Sequence, residues 1–176
     1  MRTRVTAAAL SGLLALALAG CTTPEPEPTP TSAFSSEDEA FAAAEETYRA
    51  YVDALNQVDL SDPETFEAVY SWTTADASAG ERRSLSTMHA DGWTVTGQTV
   101  VQSVELESIE TEPGAVRIAV CSDVSAVDVI DESGSSVVAA DRPPIQSSSV
   151  TLTSATHSPT GLLISAIEGG GHECGQ

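Results

Sequence analysis

From Phe34 to Gln57, apolar residues return every three or four positions, at Phe41, Ala44, Tyr48, Val52 and Leu55. That period places them on one face of a helix, with Tyr51 beside the stripe. Ser36-Glu37-Asp38-Glu39 opens it as a capping box, with acids in the first turn where the helix dipole favours them. Ser61-Asp62-Pro63-Glu64 predicts a second, short helix capped by Asp62, presenting Phe66, Val69, Tyr70 and Trp72. A third helical stretch opens at Ser78-Ala79-Gly80-Glu81, runs through Leu85 and Met88, and stops at Asp91-Gly92. His89, at that end, reads as a capping charge.

From Trp93 the period changes from helical to alternating. Trp93, Val95, Gly97, Thr99 and Val101 hold one parity, Val104 and Leu106 the other. Such a switch predicts one long strand with a β-bulge near Val101 to Ser103 and a bend at Gly97. Val116, Ile118, Val120 and Val124 alternate with Arg117, Ala119, Cys121 and Asp123 as a second strand, running on to Val127–Ile130. Val137-Val138 reads as a minor strand, and Val150 and Leu152 begin another. Leu162 to Ile167 is apolar on both parities, which predicts a central position in the sheet. Helices followed by antiparallel strands make an α+β domain over residues 34–176.

Ahead of that domain lies an uncharged Ala- and Leu-rich run from Val5 to Gly20, preceded by Arg2 and Arg4. At about 16 residues it is short for a hydrocarbon core of roughly 30 Å and has the build of a secretory signal. Leu18-Ala19-Gly20-Cys21 at its foot resembles a bacterial lipobox. The resemblance implies cleavage before Cys21, leaving residues 1–20 as signal peptide, and a diacylglyceryl group on the Cys21 sulfur with a further acyl chain, such as palmitate, at the new N-terminus. Two chains anchor stably where one does not. The expected location is the extracytoplasmic face of the cell membrane, with membrane lipid as the partner of Cys21. Residues 21–33 follow as a stalk: Pro24, Pro26, Pro28 and Pro30 alternate there with Glu25 and Glu27 among the spacers, favouring extended polyproline II.

Charge narrows the partners. The chain carries 26 Asp and Glu, no Lys and a net charge of -19, and loss of residues 1–20 would remove two arginines and no acid. Such a surface repels phosphate, which excludes nucleic acid and sets the domain off from anionic lipid.

With Cys21 lipidated, Cys121 and Cys174 remain, and in an oxidising compartment they are expected to form a disulfide. A free thiol pair or a metal site on His172 and Cys174 are the alternatives, and the latter needs further ligands that the spacing does not supply. Asp123, Asp128, Asp131 and Glu132 cluster without the spacing of a calcium loop, so no metal and no cofactor is expected.

The order of elements resembles the NTF2-like (cystatin-like, SnoaL/ketosteroid-isomerase) superfamily across residues 34–174, and small lipoproteins of high-GC Gram-positive bacteria in particular. The matching pieces are Asp91-Gly92-Trp93, Val120-Cys121-Ser122-Asp123-Val124-Ser125 and the late Cys174. The resemblance implies helices held in a curved, bulged antiparallel sheet. The fold hosts enzymes and non-enzymes alike. Two functions follow as expectations. One is a non-catalytic binding domain for a protein partner or a small apolar ligand. The other is an isomerase or hydro-lyase, with Asp123 as proton acceptor and Tyr48 or Tyr51 as oxyanion donor.

Overall fold

A computed structural model describes residues 34–110 and 114–175. The signal, Cys21, the stalk and residues 111–113 lie outside the described residues.

Helix α1 spans Glu37–Leu55, and Ser36 caps it by accepting from the Glu39 amide at 3.1 Å. Glu39 reaches back to the amide of Ser35, one residue before the cap, which closes the box. The buried stripe on α1 is Ala40, Ala44, Thr47, Tyr48, Tyr51 and Val52, so Tyr51 lies within the core rather than beside it. A 3₁₀ turn, Pro63–Thr65, leads into α2, Phe66–Tyr70, and Asp62 caps the turn through the Glu64 amide. Helix α3 spans Ala75–Ala90, three residues earlier than the expected start at Ser78. The cause is non-local. Thr74 donates its amide to Ile164 O at 2.8 Å, so the chain leaves the sheet and turns at once into helix. Gly92 ends it at φ +65°, as the Asp-Gly stop predicts.

The strands are β1 (Thr94–Thr96), β2 (Val100–Glu110), β3 (Ala115–Asp123), β4 (Asp128–Ile130), β5 (Ile145–Ser154) and β6 (Leu162–Gly169). Four of them form one antiparallel sheet in the order β2-β3-β5-β6. The expected bulge falls between Val101 and Ser103, and a second lies between Leu106 and Ser108. A bulge bends the strand that carries it, and β2 carries two. The long strand expected from Trp93 is broken at Gly97. Its first part, β1, pairs with β4 in a separate two-stranded sheet. Gly97 holds φ +78°, and a Cβ there would stand 1.8 Å from Ala126 O, so the backbones meet too closely for any side chain.

Leu162 to Ile167 is not central, as its two-sided apolar pattern predicted, but one of the two edge strands. Its outer edge is capped at Ile164 by the segment between α2 and α3. Ile164 donates to Trp72 O and accepts from Thr74, and Thr73 makes a parallel bridge to Ile164. The central position belongs to β3, where only Arg117 is exposed. At Val137 a single backbone bond to Val129 and the Ile130–Ser136 bridge replace the expected minor strand.

The core lies between α1 and the concave sheet face. Ile118, Val150, Leu152, Leu162 and Ile164 are fully shielded there, with Val69 and Val120 beside them. Each such side chain stabilises the fold by about 1.5–3 kcal/mol relative to an exposed one. Two polar clamps fix α1 on this core. Thr47 meets the Thr160 hydroxyl at 2.6 Å, and Asn56 exchanges two bonds of 2.9 Å with the Thr99 backbone.

Candidate functional site

Tyr48 and Tyr51 lie three residues apart on α1 with ring centroids 6.0 Å apart, and both are buried. Their hydroxyls part company. The Tyr48 hydroxyl shares a 3.3 Å hydrogen bond with Ser122 on β3, while Tyr51 donates to Glu81 Oε1 on α3 at 2.6 Å. Burial pushes the Tyr48 phenol upward, and burial together with the nearby Glu81 charge pushes that of Tyr51 far upward. Asp123 is not part of this cluster. It follows Ser122, and neighbouring residues on a strand point to opposite faces. Its carboxylate accepts from the Ser125 amide at 2.9 Å and from Gln102 at 3.5 Å. Hydrogen bonds from Ser125, hydroxyl first and amide second, hold the Asp123 carboxyl below the usual carboxylate range, which makes it a weak proton acceptor.

The acid beside the tyrosines is Glu81. Burial raises its carboxyl above the usual range, with the Tyr51 hydrogen bond pulling the other way. A signal for it existed in the sequence. Ala77, Glu81 and Leu85 are spaced by four, and Ala77 and Leu85 are buried, so Glu81 stands on the buried stripe of α3. It opens onto a cavity of about 270 Å³ between α3 and the end of β6, whose rim carries Asp76 and Glu168. Chemically, Glu81 is the better proton acceptor of the two acids. Tyr51, however, directs its one proton at Glu81, and neither tyrosine lines this cavity. An oxyanion donor facing an apolar pocket is not assembled from these groups.

The larger opening lies elsewhere, a cleft of about 650 Å³ between the α1–α2 connection, the end of α3 and β1. Val58, Leu60, Trp93 and Val95 form its apolar part, and Asp59, Ser61 and His89 its polar part. Local bonds build the wall. Asp59 accepts from the Ser61 amide at 2.8 Å, and His89 Nδ1 lies 2.6 Å from Leu60 O. A carbonyl only accepts, so Nδ1 carries the hydrogen in this contact. The Phe66 ring meets the imidazole edge-on at 6.2 Å. His89, expected as a capping charge, thus also ties the α1–α2 connection to the end of α3. β1 borders the cleft, pairs among the described residues on one side only, with β4, and has all three residues exposed.

The Cys121 and Cys174 sulfurs are joined as a disulfide, which fixes the C-terminal tail to β3. Among the described residues no helix is long and apolar enough to cross a membrane.

No family model matches the sequence, and no curated protein matches it. Solved structures do. The intermembrane space region of the chloroplast protein ARC6 aligns with a TM-score of 0.51 at 9% identity, covering 73% of this chain and 95% of its own. VirB8 of Agrobacterium tumefaciens aligns at 0.42 and 11% identity over 80% of this chain and 98% of its own, and Aln2 from a Streptomyces species at 0.44 and 15% over 76% and 93%. At such identities the likeness is one of fold: three N-terminal helices packed against an antiparallel sheet, the NTF2-like arrangement.

Proposed function

We propose that this chain is a lipid-anchored, extracytoplasmic binding protein whose NTF2-like domain holds an extended, basic segment of a partner protein along β1. The observation that carries the reading is where space is left. The interior between helices and sheet is filled by Ile118, Leu152, Leu162, Ile164 and the two tyrosines, while the 650 Å³ cleft lies open beside a strand with one edge unpaired among the described residues. A strand edge offers main-chain hydrogen bonds, and the neighbouring Trp93 and exposed Val95 offer apolar contact. A net charge of -19 favours a basic partner. The disulfide supports an oxidising, extracytoplasmic setting, and Leu18-Ala19-Gly20-Cys21 supports anchoring through Cys21.

The test is site-specific photo-crosslinking in native membranes, with the photoreactive residue at Val95 or, as control, at exposed Leu106 on β2. One discrete adduct from position 95, absent from position 106 and lost at high salt, is expected. Equal labelling from both positions, or none from 95, would overturn the binding reading. Cys21→Ala should release the protein from the membrane fraction, and retention there would overturn the anchor.

A further inference from the structure

The tail residues Gly170, His172 and Cys174 make contacts that closing a disulfide does not require. Cys121 lies opposite Ser147 in the β3–β5 register. Ser147 O accepts from the Gly170 amide at 2.9 Å, and the Ser147 hydroxyl donates to Gly170 O at 2.9 Å. Two bonds therefore hold the tail at the level of Cys121 without help from the sulfurs. Gly170 is required for this fit, because a Cβ there would lie 2.8 Å from the Ser147 carbonyl carbon and 2.9 Å from the His172 ring. His172 is set over Cys121, with Nε2 3.6 Å from Sγ. Its Nδ1 is buried with no hydrogen-bond partner among the described residues, which leaves the Nε2 contact with Cys121 Sγ as the polar contact that bears on how the ring is turned.

Three ligating atoms, from Cys121, His172 and Cys174, lie within 4.8 Å of one another. Zn–S bonds of about 2.3 Å and Zn–N bonds of about 2.0–2.1 Å at tetrahedral angles give an S···N edge of about 3.6 Å. The Cys121–His172 spacing already has that length. Gly171 and Gly175 flank the His172–Cys174 segment and give its backbone the freedom to let two freed sulfurs take a tetrahedral S···S edge of about 3.8 Å.

We propose that, once the Cys121–Cys174 bond is reduced, Cys121, His172 and Cys174 form a Cys₂His site for Zn²⁺, with its fourth position open. The disulfide is then the metal-free, locked form of the same three residues. The step balances. A dithiol reductant passes two electrons and two protons to the sulfurs and becomes a disulfide itself. Zn²⁺ then displaces both thiol protons to solvent, and His172 ligates through the Nε2 lone pair with its hydrogen on Nδ1. Two thiolates and an imidazole suit Zn²⁺ and not the oxygen-seeking Mg²⁺ or Ca²⁺. Sequence spacing hid the site because Cys121 comes from a strand 51 residues before His172.

The experiment uses the full chain carrying Cys21→Ser, so that a third thiol takes no part. Zn²⁺ is titrated against a chromogenic chelator with and without a phosphine reductant, and Co²⁺ replaces it for spectroscopy. One Zn²⁺ per reduced chain, none per oxidised chain, and a thiolate-to-cobalt charge-transfer band are expected. His172→Ala should leave the oxidised protein's melting temperature unchanged and weaken Zn²⁺ binding to the reduced form by about tenfold or more. Equal affinity in His172→Ala, or no binding by the reduced chain, would overturn the site. If reduction unfolds the chain, Zn²⁺ should restore the near-ultraviolet circular dichroism of the parent and not of His172→Ala. Binding without that recovery would also overturn it.

Discussion

Tyr51→Phe tests the buried polar seam, because it removes one oxygen and leaves the packed ring in place. Glu81 then loses its 2.6 Å donor, and its carboxylate keeps its partly buried position. A hydrogen bond to a charged group contributes about 1.5–3 kcal/mol, and since the cavity beside Glu81 admits water the lower end applies, about 1.5 kcal/mol at pH 7.5. For a domain of this size that lowers the melting temperature by about 5 °C. The pH dependence is the sharper readout. Glu81 holds its proton more tightly folded than unfolded, so stability is greatest below the unfolded carboxyl range and declines as pH rises until the folded group has ionised too. Losing the Tyr51 hydrogen bond raises the Glu81 carboxyl further and steepens that decline. The cost of Tyr51→Phe should therefore shrink toward that of a neutral hydrogen bond, about 0.5–1 kcal/mol, at pH 4. Glu81→Gln keeps a carbonyl acceptor without the charge, and at pH 7.5 should fall within about 0.5 kcal/mol of the parent or above it. Urea denaturation of the two single variants and the double variant at both pH values measures all of this. An equal Tyr51→Phe loss at pH 4 and pH 7.5, or a Glu81→Gln loss as large as that of Tyr51→Phe, would refute the reasoning.

The remaining predictions concern the chain's constraints. The 53-residue separation of Cys121 and Cys174 gives a loop-closure contribution of about 4 kcal/mol, an upper figure. A Cys121→Ala/Cys174→Ala variant should lose about 2–4 kcal/mol in urea, and a loss under about 1 kcal/mol would mean that the bonds between Gly170 and Ser147 alone keep the tail in place. Gly97→Ala should cost at least about 2 kcal/mol and expose the β1–β4 amides to hydrogen exchange, since φ is +78° and Ala126 O blocks the new Cβ. Gly80→Ala on α3, with open space around it, should instead gain about 0.5–1 kcal/mol.

What could be read from the residues alone was what local chemistry encodes. The Ser36 cap, the Asp62 cap, the Gly92 stop and the bulge at Val101–Ser103 each need only neighbouring residues, and each is found. The Cys121–Cys174 pairing followed from count and compartment. The departures share a physical cause, contact across long sequence separation. Ile164 draws Trp72 and Thr74 onto β6, which both starts α3 early and lets an edge strand be apolar on two faces. Ala126 divides the long strand by meeting Gly97. At the site, the tyrosines could be read from the α1 period, whereas their acid could not be read from strand parity. Asp123 was the nearer choice on the strand pattern, but Glu81 is the one that reaches Tyr51.

The covering of β6 has a consequence for how copies of this domain share a surface. A sheet with two open rims is a template on which copies can polymerise. Here one rim is blocked at Ile164 by the chain's own Trp72–Thr74 segment, and the other, β2, is kinked twice and studded with Glu105, Glu107 and Glu110. That leaves β1 as an accessible rim, and three residues are too few to seed a fibre but enough to seat one guest. Crowded side by side, such molecules would stay separate and still each present a place to dock.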